Sequence, residues 1–276
     1  MSMSVRKIAI ICLIQKLFAI FDLRIIRRES LDNVRQQERN KVPNDLRFLT
    51  ALPPPVHNDL LKYLPKSKSQ LRQDLLVLYL ENFKRNGFFV EFGATNGIDL
   101  SNTYLLETEF EWDGILAEPA VCWQHDLKFN RKAAIEERCV WSNSGERIEF
   151  NETVNAALST MGTFSDSDLH SADRKMGKKY VVETISLNDL LKEYKAPKHI
   201  DYLSIDTEGS EFEILRSLDF EQYSFGVITC EHNFTPMREK IHDLLKSRGY
   251  SRIFTEISDF DDWYVWSGNR SKPQSD

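Results

Sequence analysis

Between about residue 70 and residue 266, short apolar runs of strand length alternate with helical patterns, and the links between them are brief. FFVEF (88–92), GILAE (114–118), ERCVW (137–141), DYLSI (201–205) and FGVITC (225–230) read as strands. Helical patterns fall at about 70–85, from Asn102, along the charged stretch before ERCVW, over SLNDLLKEY, after Asp206, and at about 237–248. Parallel strands need a crossover of a dozen or more residues, usually a helix. This alternation therefore restricts the chain to an α/β fold, a Rossmann-like, doubly wound and mostly parallel sheet with helices on both faces. The last two strand candidates, SRIFTE and DWYVW, have no helix between them, which predicts an antiparallel hairpin at one edge. RIEF (147–150) and VVETI (181–185) are further strands in the irregular region 143–185.

A chain of 276 residues suits one such domain with an appendage. We expect an N-terminal segment over 1–68, ending in a Pro-rich connector with Pro53, Pro54, Pro55 and Pro65, then a domain over 69–267 and a disordered tail over 268–276. The net charge of −6 gives no case for a nucleic-acid partner, although residues 1–41 carry nine Lys/Arg against four Asp/Glu. In that basic segment Ile8, Ile11, Ile14, Phe18, Phe21 and Ile25 share one helical face. The face suits packing on the domain or a partner, peripheral membrane contact through residues 5–28, or a degenerate signal anchor; the run is too polar for a clear membrane span. Cys12, Cys122, Cys139 and Cys230 form no metal-type pair; Cys139 and Cys230, in apolar runs, read as buried thiols. The pattern suits a reducing, cytoplasmic setting with possible membrane association.

VEFGATNGID follows the first strand and places Glu91, Gly93 and Gly97 in an E-x-G-x-x-x-G pattern. Glycines there let the backbone turn tightly and approach a ligand closely. The loop lacks the spacing of a dinucleotide or phosphate-binding motif. Glu118 closes the second strand, where an acid accepts hydrogen bonds from both ribose hydroxyls, so the loop and the acid together point to a nucleoside-containing ligand.

The stretches FFVEFGATNGIDLSNTYLLE, GILAEP, ETISLNDLL, IDYLSIDTEGSEFEIL and VITCEHN together resemble the FkbM family of class I S-adenosylmethionine-dependent methyltransferases. The resemblance implies a seven-stranded sheet, S-adenosylmethionine as donor and oxygen as the usual acceptor atom. Carried onto this chain, it places Glu91, Gly93, Ala94, Asn96 and Gly97 in the loop facing the donor's methionine portion, Glu118 on the ribose, and Val140 and Trp141 at the adenine. Asn102 is either a helix-start residue or a contact to the donor carboxylate.

Asp206 and Glu231 would then end adjacent strands, with His232 and Asn233 just beyond. Asp206, Glu231 and Asn233 are similar to the metal triad of catechol-type O-methyltransferases, a hard-oxygen set suited to Mg²⁺ or another divalent ion. A hydroxyl acceptor must lose its proton, so the alternatives are metal assistance or a general base, His232 or Glu208, with Asp206 also catalytic. The third possibility is that these acids complete turns and ion pairs. Glu213 reads as a solvated helix residue, and Glu211 is open. The long segment 151–180, with Met161, Phe164 and His170, is a candidate acceptor-binding region. The expected acceptor is a small molecule or glycan carrying a hydroxyl, on a glycan, lipid-linked sugar or secondary metabolite. The competing readings are a non-catalytic nucleoside-binding scaffold and, less well matched by the loop, a nicotinamide-dependent oxidoreductase.

Overall fold

The computed structural model describes residues 42–153, 160–161 and 177–268. The chain divides into two compact units, Met1–Arg47 and Phe48–Asp276. Residues 5–28, Phe164, His170 and the tail 269–276 lie outside the described residues. Among the described residues no helix is long and apolar enough to cross a membrane.

A helix over 42–51 (α1) leads to a single 3₁₀ turn at Pro54–Val56 and to α2 (His57–Tyr63). The rest of the chain runs α3 (Gln73–Leu80), β1 (Phe88–Phe92), α4 (Tyr104–Phe110), β2 (Asp113–Ala117), α5 (Val121–Asn130), β3 (Ala134–Glu136) and β4 (Cys139–Trp141). It continues with β5 (Arg147–Glu152), β6 (Thr160–Met161), β7 (Lys178–Ser186), α6 (Leu187–Glu193), β8 (His199–Ile205) and α7 (Glu211–Ser217), then β9 (Ser224–Glu231), α8 (Met237–Ser247), β10 (Tyr250–Ile253) and β11 (Asp261–Trp266).

The main sheet has seven strands in the order β10-β11-β9-β8-β1-β2-β3, with β11 antiparallel to both neighbours and the others parallel, as the sequence predicts. Period-two alternation along each strand divides the core between the two faces. Val90, Phe92, Leu203, Ile205, Ile228 and Tyr264 pack with α6, α7 and α8, whereas Phe89, Tyr202, Val227 and Trp263 pack with α3 and α4. Phe48, Leu52 and Leu60 belong to that second core, so the packed unit begins upstream of Ser69 and the Pro-rich stretch is built into it.

One strand is misplaced by the sequence reading. The third strand of the main sheet is Ala134–Glu136; Cys139–Trp141, expected there, instead pairs with β7 in a second sheet of order β4-β7-β5-β6. Arg138, bonded to the buried Glu136 through its backbone N–H and its guanidinium, marks the corner where the chain leaves one sheet for the other. Met161 is buried against β5, so it packs within this second sheet.

Strand order reverses between β1 and β8: the chain winds from β1 out to β3, then returns to β8 on the other side. In open α/β sheets the crevice at the carboxyl ends of such a pair is where ligands bind.

Candidate active site

The two strands of the switch point touch at their ends because β1 stops at glycine. Gly93 has φ +76°, and a Cβ there would lie 2.2 Å from the carbonyl oxygen of Asp206. Gly97 also has positive φ, and a Cβ on it would meet the Arg131 side chain at 2.6 Å. Between them Ala94 is buried, and Asn96 closes its own turn by accepting the N–H groups of Ile98 and Asp99. Both glycines are thus required by space as well as by conformation.

Glu91 is buried in a network of its own. Its carboxylate accepts the Asn102 N–H and the hydroxyls of Ser101 and Thr103, with the buried Arg131 guanidinium 3.7 Å away. Burial pushes its pKa up, and Arg131 and the three donors pull it down. Arg131 also bonds Glu107, the Gly97 carbonyl and the hydroxyls of Ser101 and Thr103, and lies over the Phe89 and Tyr104 rings. Glu91 and Arg131 therefore hold the chain that follows the glycine loop. No motif marks Arg131, because a lone Arg just past a helix reads as a surface residue.

Asn102 is not the cap of α4: the Ser101 hydroxyl accepts the N–H groups of Thr103 and Tyr104, and α4 starts at Tyr104. The Asn102 side chain reaches β8 instead, donating through Nδ2 to Ser204 Oγ at 3.0 Å and leaving its buried Oδ1 without a partner among the described residues.

Glu118, one residue past β2, is buried. Its two oxygens accept the N–H groups of Thr95 and Ala120, each at 2.8 Å. Burial pushes its pKa up to about 7, with Asp206 and Glu152 adding negative potential. Each oxygen keeps a further lone pair for a ribose hydroxyl. Beside it, Tyr180 of β7 accepts the Val121 N–H and donates to Glu152, joining the second sheet to the first turn of α5. Val140 is buried in the core, and Trp141 is half-buried at the end of β4 in that second sheet, so any adenine contact would come from the second sheet rather than from the third strand of the first.

The acids that end β8 and β9 do come together. Asp206, Glu208 and Glu231 each bring one carboxylate oxygen within 4.8 Å of the others. Burial is the main cause of an upward pKa shift in both Asp206 and Glu231, and the nearby carboxylates of Asp206, Glu208 and Glu211 push Glu231 further. Glu208 is placed by an unusual turn, with φ +60°, followed by Gly209 at φ +121°. Asn233, expected as a ligand, has its Nδ2 3.4 Å from Glu208 Oε2 at the edge of the gathered carboxylates. Glu211 belongs to the turn: its Oε1 accepts the N–H groups of Thr207 and Gly209 and the Thr207 hydroxyl. Glu213 pairs with Arg216 on the solvent side, as expected.

His232 is placed differently from a general base. Its Nδ1 accepts the Phe234 N–H at 3.0 Å, so the neutral ring carries its proton on Nε2 and has no free lone pair. Nε2 is buried, 3.8 Å from Asp262 Oδ1. Sequence reasoning also missed Asp261, which sits opposite Glu231 in the β9–β11 register. Its carboxyl accepts from Gln73 and Trp263, and burial pushes its pKa up to about 8.

The methyltransferase FkbM domain model matches residues 91–252, more than half of the chain. The chain belongs to the FkbM methyltransferase family. This FkbM protein is accordingly an S-adenosylmethionine-dependent methyltransferase, with the Rossmann-like sheet described above. No curated protein matches it significantly. Among solved structures it is similar to apo CalS11, a TDP-rhamnose 3'-O-methyltransferase of calicheamicin biosynthesis, at 11% identity and TM-score 0.41, covering 90% of this chain and 98% of that one. Another is the precorrin-6y C5,15-methyltransferase of Geobacter metallireducens GS-15, at 10% identity and TM-score 0.40, covering 71% and 87%. A third is the S-adenosylhomocysteine-bound methyltransferase PaMTH1 of Podospora anserina, at 11% identity and TM-score 0.36, covering 88% and 98%. At these distances none of the three bears on the acceptor.

Proposed function

We propose that this FkbM methyltransferase methylates a hydroxyl of a glycan, lipid-linked sugar or secondary metabolite, with Asp206, Glu208 and Glu231 holding a divalent cation beside the transferred group. The observation that carries the reading is the gathering of three carboxylates at the adjoining ends of β8 and β9, directly against the Gly93 turn. Three acids this close repel one another unless protons or a cation intervene. An all-oxygen set of this kind suits a hard divalent ion.

The donor fits the other half of the crevice. The loop from Gly93 to Gly97 faces the methionine portion, Glu118 accepts the ribose hydroxyls, and the second sheet near Trp141 contacts the adenine. When bound, S-adenosylmethionine supplies an electrophilic sulfonium methyl and the cation supplies positive charge that acidifies a nearby hydroxyl. The protein's own groups do the rest. Asp206, the acid less strongly raised, would take the hydroxyl proton onto a carboxylate oxygen as the acceptor oxygen displaces the methyl group from sulfur. Loop and acids fix the two reactants in line, which is the larger contribution for a displacement that needs little other assistance.

The test is calorimetry of the full chain with S-adenosylhomocysteine, with and without Mg²⁺ and Mn²⁺, beside Glu118→Ala and Asp206→Ala. We expect micromolar nucleoside binding that Glu118→Ala weakens at least tenfold, and metal binding that Asp206→Ala removes. Unchanged metal binding in Asp206→Ala rejects the cation site, and absence of S-adenosylhomocysteine binding by the wild type rejects the donor site.

A further inference from the structure

The turn that leaves β9 beside these acids holds an aromatic ring away from the core. Phe234 is 63% exposed, although His232, two residues before it, is buried. Asn233 and Phe234 both have left-handed backbone, with φ +43° and +56°, which is rare for one non-glycine residue and rarer for two in succession when the second is bulky. Backbone in such regions persists only where its surroundings over-determine it, and it concentrates at functional sites.

The surroundings that do so here are visible. The N–H groups of His232 and Asn233 both donate to the Phe260 carbonyl, and Thr235 N–H donates to the His232 carbonyl. His232 Nδ1 accepts the Phe234 N–H, and the imidazole meets the Phe234 ring edge-on at 5.4 Å. Behind it stands Asp262, itself held by Arg238 at 2.8 and 3.0 Å and by Arg252 at 3.1 Å. An exposed Phe is unremarkable in itself. A Phe projected by two strained residues and braced by a buried histidine calls for a reason. Asn233, the residue before it, reaches Glu208 of the acidic cluster, so the ring stands at the border of the site.

We infer that Phe234 is the platform on which the acceptor rests, that the acceptor presents the apolar C–H face of a pyranose to it, and that His232 is the positioning residue that holds the platform. The inference rests on the hydroxyl-methylating reading above. Polarised C–H bonds complement the negative face of an aromatic ring. Phe offers no hydrogen-bonding handle, so polar recognition falls to the ring-edge hydroxyls, which the neighbouring carboxylates can accept. The same contact selects the sugar's face and thereby which hydroxyl meets the acids.

The experiment is saturation-transfer NMR of the full chain with S-adenosylhomocysteine and Mg²⁺, using methyl glycosides of glucose, galactose, mannose and rhamnose, and catechol as a flat aromatic probe. Wild type is expected to transfer saturation to the ring C–H protons of at least one glycoside. Phe234→Ala is expected to lose at least nine-tenths of that signal while binding S-adenosylhomocysteine as wild type does, and Phe234→Trp to keep it. His232→Asn, which places an acceptor oxygen near the position of Nδ1, is expected to retain most of the signal, and His232→Leu to lose it. A positioning role predicts that split, whereas a merely structural one would move stability alone. Transfer to no glycoside, transfer to catechol alone, or undiminished transfer in Phe234→Ala each overturns the inference. Failure of wild type to bind S-adenosylhomocysteine would instead count against the donor site itself.

Discussion

Two sets of acids lie close together on neighbouring strands, and they are satisfied in opposite ways. Glu91 on β1 has a guanidinium, two hydroxyls and a backbone N–H gathered around it. Asp206 and Glu231, at the ends of β8 and β9, have chiefly each other and Glu208. The first arrangement is a closed network, and its product is a fixed loop. The second is an arrangement of like charges that only a proton or a cation relieves, which is the property the proposed chemistry would use. Residue type does not separate satisfied from unsatisfied carboxylates here; what surrounds them does.

The strongest way to break this contrast is Arg131→Ala. Removing the guanidinium leaves Glu91 and Glu107 buried without their cation, a change that costs about 3–5 kcal/mol when one partner of a buried pair is deleted. The expected outcome is a large fall in thermal midpoint, measured by calorimetry, with Arg131→Lys failing to restore it because an ammonium cannot reproduce the forked contacts. A midpoint within a degree or two of wild type would show that the network is not what holds the loop.

Asp206→Asn tests the other region and should act in the opposite sense on stability. Turnover is expected to fall by about 10²–10⁴ if Asp206 takes part in proton removal. The folded protein should nevertheless be at least as stable as wild type at pH 8. Asp206 has a raised pKa in the fold, so its ionisation opposes folding, and that penalty grows as pH rises through the range between the ordinary and the raised value. The variant removes the penalty. A marked loss of stability at pH 8 would place Asp206 with Glu91 among the structural acids.

Much of this was legible in the sequence, and the limits have physical causes. The strand–helix alternation predicted the main sheet because period and crossover length are local properties. The edge hairpin was readable in SRIFTE and DWYVW for the same reason. The meeting of Asp206 with Glu231 followed from adjacent parallel strands in register, Ile205 opposite Cys230. The strand at Cys139–Trp141 misled, because an apolar triplet carries no mark of which sheet it joins. Arg131 and Glu152 were invisible for a related reason: their partners lie 24 to 40 residues away in sequence or across two sheets, and no spacing rule reaches them. His232 was misjudged because its role depends on which ring nitrogen meets the Phe234 backbone, a question of turn geometry and not of composition.

The finest distinction between the two regions falls on Glu118, which shares features of both: it accepts two backbone N–H groups as Glu91 accepts its donors, yet it feels the negative charge of Asp206 and Glu152. Its pKa in the fold is pushed up to about 7 from an ordinary 4.5. A raised folded value means that protonation favours the fold, so the stability it contributes is fully present below about 4.5 and is lost as pH rises through about 7. Ribose hydroxyls donate to the ionised form, so donor binding must run the other way, strengthening as pH rises toward 8 and weakening as the carboxylate takes up its proton. Glu118→Gln should flatten both profiles and, at pH 8, weaken S-adenosylhomocysteine by about 2 kcal/mol, roughly thirtyfold. Calorimetric titrations at pH 6, 7 and 8 on both proteins read the two trends together. Opposed slopes in the wild type that vanish in the variant place Glu118 on the ribose, whereas a stability trend without an affinity trend makes it one more brace of the glycine loop.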